Sequence, residues 1–287
     1  MTWALVLHGG AGEWRAARLP AALSGLRAAA ERGRALLDDG RSALDTVCEV
    51  VAMLEDDPVF NAGTGSVLHR DGDVEMDASV MNGADLRFGG VAAIARVRNP
   101  VRVARCVMES SPHALLAGAG ALRFAREHGF ADYDPVAEPA RSDFVDRAQP
   151  ASPGTVGAVA LDGHGGLAAA TSTGGTMLKL PGRVGDSPLP GAGTYAGACA
   201  AISSTGKGEL ILRVLAAKRI YDLIDAGRGA QDAIAQTLSE MHGSVGAGAG
   251  FIALTRGGDI GIAHDTAAMV HAWCRHAQPD IEVNFNA

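Results

Sequence analysis

Apolar residues recur at helical spacing over several stretches of the chain. Leu23 and Leu26 follow the roughly 3.6-residue period of an amphipathic helix, which we predict from about residue 20 to 39, before Gly40. Ser42, with an acidic residue three positions later, is typical of the N-cap of a second helix that continues to residue 54. Further helices are predicted over residues 101–109, 114–127, 210–226 and 230–241.

Short apolar runs between these helices predict β-strands. The run over residues 90–96 is almost continuously apolar, which favours burial on both faces. Strands that follow each other in sequence, with the helices in groups, favour stacked sheets covered by helices over a doubly wound parallel sheet. The remaining strands are predicted over residues 3–7, 66–69, 74–80, 156–161, 166–171, 251–254 and 260–264, the pair around 162–165 as a hairpin.

Residues 133–153 differ in character from the rest of the chain. This stretch holds four prolines and several charges without sustained periodicity. Such a composition predicts an exposed connector and a boundary between two halves.

Composition excludes several classes of protein. Hydrophobic residues make up 47% of the chain and charged residues 20%, as in a globular domain, and the net charge of −7 with no basic run argues against nucleic-acid binding. No apolar run is long enough to predict a membrane span, and the first residues do not resemble a signal peptide. The four cysteines have no paired spacing, which predicts free thiols and a cytoplasmic protein.

Thr155 is the residue that carries the most chemical information. It follows Gly154 and begins the predicted strand 156–161. An arbitrary threonine at this place is simply a β-branched strand residue, but a threonine hydroxyl becomes a nucleophile when its own α-amine acts as the base. That amine exists only after the Gly154–Thr155 bond is cut, and its reference pKa of about 7.7–8.0 suits proton transfer near neutral pH.

Two polar segments downstream offer binding groups. Hydroxyls at the end of one strand, in the run Thr171–Thr173, can bond a nucleophile on the neighbouring strand. Arg183 presents donors suited to a carboxylate, and Asp186 suits an ammonium group, so together they can hold both ends of an α-amino acid. The alternative is an Arg–Asp surface pair of at most about 1 kcal/mol.

The segment 204–209 opens a predicted helix, where backbone amides suit an anion or a developing oxyanion. Its glycine and lysine spacing does not match a nucleotide P-loop. The nine histidines include no HExxH motif, which argues against catalytic zinc, and we interpret His8 as a structural residue in a turn.

Taken together, these segments resemble the plant-type L-asparaginase/isoaspartyl aminopeptidase family of N-terminal nucleophile (Ntn) hydrolases. The runs Gly-Thr-Val-Gly-Ala-Val-Ala, Thr-Ser-Thr-Gly-Gly and Gly-Arg-Val-Gly-Asp-Ser-Pro carry the resemblance, which extends along nearly the whole chain. The matching segments, in order, are His8–Gly12, Asn61–Gly63, Met76–Ala78, Gly154–Leu161, Ala168–Gly175, Gly182–Pro188 and Thr205–Glu209.

The resemblance implies an α+β fold, a four-layer αββα sandwich, and autocleavage into 1–154 and 155–287. It implies Thr155 as nucleophile, supported by Thr173, with Thr205 and Gly206 forming the oxyanion hole and Asn61 nearby. Arg183 would bind the substrate carboxylate and Asp186 its amine. The implied activity is hydrolysis of L-asparagine and isoaspartyl (β-aspartyl) dipeptides by a homodimer of αβ units, without an organic cofactor. A structural sodium ion is implied on the backbone carbonyls of Leu54, Glu55, Asp57, Phe60, Ala62 and Thr64.

Two further hypotheses stay open at the level of sequence. One is a related hydrolase with another leaving group, such as a glycosylasparaginase-like or protein-processing enzyme. The other is a non-catalytic amino-acid-binding protein of the same fold. The run His264–Thr266 departs from the aromatic–asparagine–threonine run frequent in the family, so it bears on the shape of the substrate pocket.

Overall fold

A computed structural model of the chain describes residues 2–146, 154–278 and 280–286. The strands of this part are β1 (Ala4–Gly12), β2 (Met76–Asn82), β3 (Phe88–Ile94), β4 (Leu115–Ala117), β5 (Val156–Leu161), β6 (Leu167–Thr173), β7 (Thr194–Ala196), β8 (Ala200–Gly206), β9 (Ala249–Thr255), β10 (Ile260–His264), β11 (Ala268–Arg275) and β12 (Glu282–Asn284). The helices are α1 (Leu19–Asp38), α2 (Ala43–Asp56), α3 (Pro100–Ser110), α4 (Gly118–Glu127), α5 (Glu138–Val145), α6 (Gly208–Val214), α7 (Ala216–Asp225) and α8 (Ala230–Ser244), with a 3₁₀ turn at Gly63–Gly65.

The strands form two sheets, so the chain has the predicted mixture of helices and two sheets. The larger sheet has the order β12-β11-β1-β5-β6-β2-β3-β4, and the smaller one β10-β9-β8-β7. Neighbours pair antiparallel, apart from the parallel pair β3 and β4. The predicted hairpin is confirmed, since β5 and β6 pair directly.

Strand β1 shows why the two faces of the larger sheet differ. Its side chains alternate, so Leu5 and Leu7 join a core that includes residues of α1, α2 and α3. Val6 points to the opposite face and joins a cluster with Ile252 and Leu254 of the smaller sheet. A third cluster packs α7 and α8 against β8 and β9. Because successive side chains of a strand point to opposite faces of the sheet, one apolar core lies between the two sheets. A further core lies between each sheet and the helices that cover it.

The two N-terminal helices follow the sequence prediction closely. Helix α1 spans Leu19–Asp38, and α2 begins after Ser42, whose hydroxyl accepts a hydrogen bond from the backbone N–H of Asp45. The helices predicted over 101–109 and 230–241 are also confirmed as α3 and α8.

Other boundaries differ from the sequence prediction. The predicted helix 114–127 starts as β4, because Leu115–Ala117 pairs with β3, and becomes helical only at Gly118. The predicted helix 210–226 is two helices, interrupted at Leu215, which has a left-handed φ of 49°. The predicted strand 66–69 has no regular structure. The strands β7, β8, β11 and β12 were not predicted, since partners distant in sequence define them.

The connector prediction for 133–153 is wrong for residues 138–145, whereas residues 133–137 have no regular structure. Residues Glu138–Val145 form α5, in which Ala140 and Asp143 are buried. Asp143 forms an ion pair with Arg15 at 2.9 Å, which ties α5 to the loop before α1. Residues 147–153 of the predicted connector lie outside the described residues.

The composition predicts free thiols and no membrane span. Cys48, Cys106, Cys199 and Cys274 are free thiols, the first and last of them buried. In the described ranges, no helix has both the length and the apolar character needed to cross a membrane.

Candidate active site

A cavity of about 420 Å³ opens where the ends of β6 and β8 meet the start of β5. Seven of the residues singled out from the sequence line it: Asn61, Gly154, Thr155, Thr173, Arg183, Asp186 and Gly206. The register of the central strands explains part of this grouping. Val156 pairs with Ser172, so Thr155 lies beside Thr173 at the open end of the two strands. His8, interpreted as a turn residue, lies instead within β1.

Thr205 lies against Thr155 from the neighbouring sheet. Its hydroxyl oxygen accepts a hydrogen bond from the backbone N–H of Thr155 at 3.3 Å and another from that of Ala11 at 3.0 Å. A hydroxyl has two acceptor lone pairs and a single proton. Both lone pairs of Thr205 are therefore occupied, and its proton is left to be donated to another acceptor. Thr205 is fully buried and Thr155 is 4% exposed.

Gly154 is the residue whose shape allows this approach. It has a φ of +86°, a left-handed conformation that favours glycine, and a Cβ here would lie 2.6 Å from the Thr205 hydroxyl oxygen. The bond between Gly154 and Thr155 is therefore held in the cavity by backbone conformation and close packing together.

Asn61 joins the loop after α2 to the end of β6. Its side-chain amide donates to the carbonyl of Gly175 at 2.8 Å, and its side-chain oxygen accepts from the N–H of Val67 at 3.0 Å. The N–H of Gly175 in turn donates to the Thr173 hydroxyl at 2.9 Å. These bonds fix Thr173 at the cavity wall, with its own hydroxyl proton available beside Thr155.

Arg183 does not pair with Asp186, so the alternative of a surface Arg–Asp pair is wrong. Its guanidinium contacts Glu209 instead, with Nε and Nη2 each 2.9 Å from one carboxylate oxygen. The Nη1 atom of Arg183 lies close to Gly175 and Gly185, and a Cβ on Gly185 would be only 2.8 Å from this Nη1 atom. Glu209 thus orients a guanidinium whose remaining face points along the cavity wall.

Asp186 is a buried carboxyl, 4% exposed, and in the described structure its Oδ2 atom has no hydrogen-bond partner. Burial raises the pKa of Asp186 to about 7, while the positive charge of Arg183 acts in the opposite direction. A buried carboxylate without a partner is costly, so this oxygen suits a cationic ligand. Gly208 leaves space for such a ligand beside Asp186, because a Cβ at this position would lie only 2.7 Å from Oδ1 of Asp186.

Asp77 supports the loop that carries these two charged residues. It is fully buried, and its carboxylate accepts from the N–H of Gly185 at 3.1 Å and from that of Ala93 at 2.8 Å. Burial raises the pKa of Asp77, against the effect of the nearby Lys179 ammonium. The motif Met76–Ala78 therefore positions the 183–186 loop through the hydrogen bond of Asp77 with Gly185, and it does not itself line the cavity.

A chain of buried hydroxyls begins at His8. Its Nε2 lies 2.9 Å from the Ser203 hydroxyl, which lies 2.8 Å from the hydroxyl of Thr171. Burial lowers the pKa of His8 to about 3, so the imidazole is neutral at physiological pH. Gly157 leaves the space for this contact, because a Cβ there would collide with Ser203 and His8.

The same chain continues to the segment after Asp186. The Thr194 hydroxyl lies 2.6 Å from that of Thr171 and 2.8 Å from that of Ser79, and Ser79 donates to the carbonyl of Ser187 at 2.6 Å. Every one of these side chains is buried. The chain thus links the strand beside Thr155 with the residue that follows Asp186.

The loop 54–64 begins in the last turn of α2 and brings several backbone carbonyls close together. Leu54 and Glu55 occupy the last turn of α2, where carbonyls lack helical partners and the helix dipole favours positive charge. Gly63 and Gly65 wrap this turn so closely that a Cβ on either would strike the carbonyl oxygen of Glu55 or Phe60. A tight set of carbonyls around a helix C-terminus fits a hard cation. Separately, burial raises the pKa of the Glu55 side chain to about 8.

Several cavity residues were missed from the sequence. The sequence analysis gave a role only to the backbone amides of the segment 204–209. The side chains of Lys207 and Glu209, which line the cavity, were not predicted to take part. Gly248 also lines the cavity, and tertiary packing alone brings it there, whereas Thr266 lies in a run that the sequence analysis linked to the shape of the pocket. Thr266 belongs to the run that departs from the family pattern.

Comparison with known proteins finds relatives that match almost the whole chain. The asparaginase family model matches residues 1–282. The chain is 42% identical to a plant-type L-asparaginase of Pyrococcus abyssi (strain GE5 / Orsay), covering 97% of this chain and 98% of that protein. It is 42% identical to an isoaspartyl peptidase of Escherichia coli (strain K12), over 94% of this chain and 92% of that protein. An isoaspartyl peptidase/L-asparaginase of Rattus norvegicus is also 42% identical, over 89% and 81%.

Proposed function

Because this chain belongs to the asparaginase family, we propose that it is an autoprocessing N-terminal threonine amidohydrolase. It hydrolyses isoaspartyl (β-aspartyl) dipeptides and L-asparagine to aspartate and an amine or ammonia. The observation that carries the proposal is one cavity shared by the Gly154–Thr155 bond, an oriented arginine and a buried aspartate.

Maturation begins with the Thr155 hydroxyl. Its oxygen attacks the carbonyl carbon of Gly154, the C–N bond to Thr155 breaks, and the acyl group passes from nitrogen to oxygen as an ester. Water then hydrolyses the ester, which leaves a carboxylate on Gly154 and a free amine on Thr155. The mature enzyme thus consists of residues 1–154 and 155–287. The contact of Gly154 with Thr205 supports the attack by fixing the bond in place.

Substrate binding uses the two charged residues of the 183–186 loop. Arg183, oriented by Glu209, holds the α-carboxylate, and Asp186 accepts the α-ammonium at its unpartnered oxygen. Gripping both groups directs the side-chain carbonyl of asparagine or of a β-aspartyl residue toward Thr155. Fixing the reacting atoms in this way lowers the entropic part of the barrier.

In turnover, the free amine of Thr155 takes the proton from its own hydroxyl as the oxygen attacks the substrate carbonyl. The hydroxyl proton of Thr205 and the amide of Gly206 stabilise the oxyanion, and Thr173 bonds the nucleophile. The amine proton passes to the leaving nitrogen as the C–N bond breaks and an ester forms. Water activated by the same amine then releases aspartate and restores the Thr155 hydroxyl.

The finer features of the family are part of the same proposal. The packing of helices on both sheets supports a four-layer αββα sandwich, and the resemblance supports a cytoplasmic homodimer of αβ units. The carbonyls of Leu54, Glu55, Asp57, Phe60, Ala62 and Thr64 would hold a sodium ion. When bound, the ion would neutralise the carbonyl dipoles of this loop and stiffen the segment that carries Asn61.

The proposal is tested by incubating the purified protein and measuring intact masses and released aspartate. We expect two fragments divided before Thr155, with aspartate formed from L-asparagine and from β-aspartyl-leucine. Thr155→Ala should give one uncut chain without hydrolysis, and Thr155→Ser should keep both reactions at reduced rate. A binding protein would stay uncut with amino acids bound, and a glycosylasparaginase-like enzyme would act on glycosyl-asparagine alone; either result contradicts the proposal.

A further inference from the structure

The cavity has two chemically different ends. At one end Arg183, Asp186 and Glu209 gather around Gly208, where a Cβ would lie 2.7 Å from Asp186 and 2.9 Å from Arg183. This is the end that holds the free amino-acid group of the substrate in the proposed function. Gly12, Gly248 and Thr266, which carry no charge, also line the cavity, and we refer to this part of the lining as its second end. A substrate gripped at the first end extends its leaving group away from it, toward the second.

Lys207 stands at this second end. It lies between the cavity-lining residues Gly206 and Gly208 and lines the cavity itself. Its backbone N–H donates to the carbonyl of Gly248 at 2.7 Å. Its aliphatic stem runs over Gly248, where a Cβ would lie 2.9 Å from Lys207 Cδ, so the glycine leaves room for the stem.

The amino group of Lys207 has no ion-pair partner among the described residues. Within the described ranges, Arg183 is paired with Glu209, and the buried amino group of Lys179 donates to the carbonyl of Glu75 at 2.6 Å. In the same ranges, no carboxylate lies within ion-pair distance of the Lys207 amino group. Lys207 is an exposed residue on the cavity wall, so its amino group can meet an anionic part of a ligand that extends out of the cavity.

Building on the proposed function, we propose that Lys207 binds the α-carboxylate of the amino acid released from a β-aspartyl dipeptide. Such a dipeptide carries two carboxylates, and Arg183 accounts for only one of them. Asparagine has no second carboxylate, so Lys207 favours isoaspartyl peptides with a free C-terminus over asparagine and over peptides that continue beyond the released residue. Lys207 is thus a specificity-determining residue that takes no part in the chemical steps.

The test compares two substrates that differ only in this carboxylate, β-aspartyl-leucine and β-aspartyl-leucinamide. The ratio of their kcat/KM values is measured for the wild type and for Lys207→Gln, so the intrinsic reactivity of the two leaving amines cancels. We expect Lys207→Gln to lower the ratio about fivefold to tenfold, as for a partly exposed ion pair, and Lys207→Arg to retain most of it. Added salt should lower the wild-type ratio and leave that of Lys207→Gln nearly constant.

Lys218→Gln is the matched control, because it removes one positive charge from an exposed lysine that pairs with Asp222 outside the cavity. Its ratio should equal that of the wild type. A Lys207→Gln ratio within twofold of the wild type overturns the assignment, as does an equal loss in Lys218→Gln. Intact masses establish that each variant has matured before kinetics. If the mature wild type releases no aspartate from either peptide or from asparagine, the proposed function fails, and that failure is separate from the role of Lys207.

Discussion

The hydroxyl oxygen of Thr205 lies 3.3 Å from the backbone nitrogen of Thr155. This nitrogen belongs to the Gly154–Thr155 peptide bond, and in the proposed maturation it becomes the catalytic amine. Because Thr205 also accepts the N–H of Ala11 at 3.0 Å, its own proton remains for an acceptor in the cavity. A single side chain thus contacts the nucleophilic residue and offers a donor to the oxyanion in the proposed mechanism.

Removing this hydroxyl should slow chemistry far more than it weakens binding. Thr205→Val has nearly the same shape but no donor, and we expect kcat to fall by about 10²–10³ with a smaller change in KM. Thr205→Ser keeps the hydroxyl and should retain most of the activity. Steady-state kinetics on L-asparagine with matured protein gives both constants. A valine variant with normal kcat would show that Thr205 does not stabilise the oxyanion.

Gly154 should be needed for cleavage because of space as well as conformation. Gly154 has a φ of +86° and its Cβ position lies 2.6 Å from Thr205, whereas Gly129 has a φ of +84° with nothing within 4 Å. Alanine at either position carries similar backbone strain, but only Gly154→Ala displaces the scissile bond. We expect cleavage to slow by about tenfold or more in Gly154→Ala alone, because small displacements of reacting groups are costly. A denaturing gel over time measures it, and equal rates in both variants would contradict the argument.

Asp186 should make ligand binding depend on pH near neutrality. Burial raises its pKa to about 7, so the free enzyme carries the carboxylate that binds an ammonium group only above that pH. The inhibition constant of L-aspartate should therefore rise about tenfold per pH unit below about 7, one proton being bound for each ligand lost. Aspartate competition avoids the nucleophile's own titration, which affects kcat. An inhibition constant that stays flat between pH 5 and 7 would mean that Asp186 is ionised throughout.

The buried hydroxyl chain should contribute to stability through Thr171. Thr171→Val keeps the shape but removes the link between Ser203 and Thr194, so each of these buried hydroxyls loses one hydrogen-bond partner. We expect the free energy of unfolding to fall by about 1–3 kcal/mol, with Thr171→Ser close to the wild type. Urea denaturation of the two variants gives the values. A valine variant as stable as the wild type would show that the chain adds no stability.

The carbonyl loop should make stability depend on sodium. If the loop binds sodium in the folded state only, replacing sodium chloride with choline chloride at the same ionic strength should lower Tm by several degrees. Restoring sodium should restore it, with saturation at a definite concentration. Gly63→Ala should abolish the sodium dependence, because its Cβ would strike the carbonyl of Glu55. An unchanged Tm in choline would argue against a structural sodium ion.

The chemistry of the site was accessible from the sequence because it depends on residue type and close spacing. A threonine after Gly154, the pair Arg183 and Asp186, and the hydroxyl of Thr173 each belong to a short run. Local signals also predicted α1 and α2, since helix periodicity and the Ser42 cap act within a few residues.

The partners of these residues were decided by tertiary structure. Arg183 pairs with Glu209 rather than Asp186, and His8 bonds Ser203, which is 195 positions away. Strands β8 and β11 form only because β9 and β1 lie beside them, and α5 occupies part of a segment predicted as a connector.

The sequence by itself thus determined which functional groups the protein has and the order in which they occur. Tertiary structure decided which of them share a cavity, which charges are paired and which, like that of Lys207, have no ion-pair partner among the described residues. The physical reason is that periodicity and capping act over a few residues, whereas burial, ion pairing and strand partnership depend on residues that meet only when the two sheets pack.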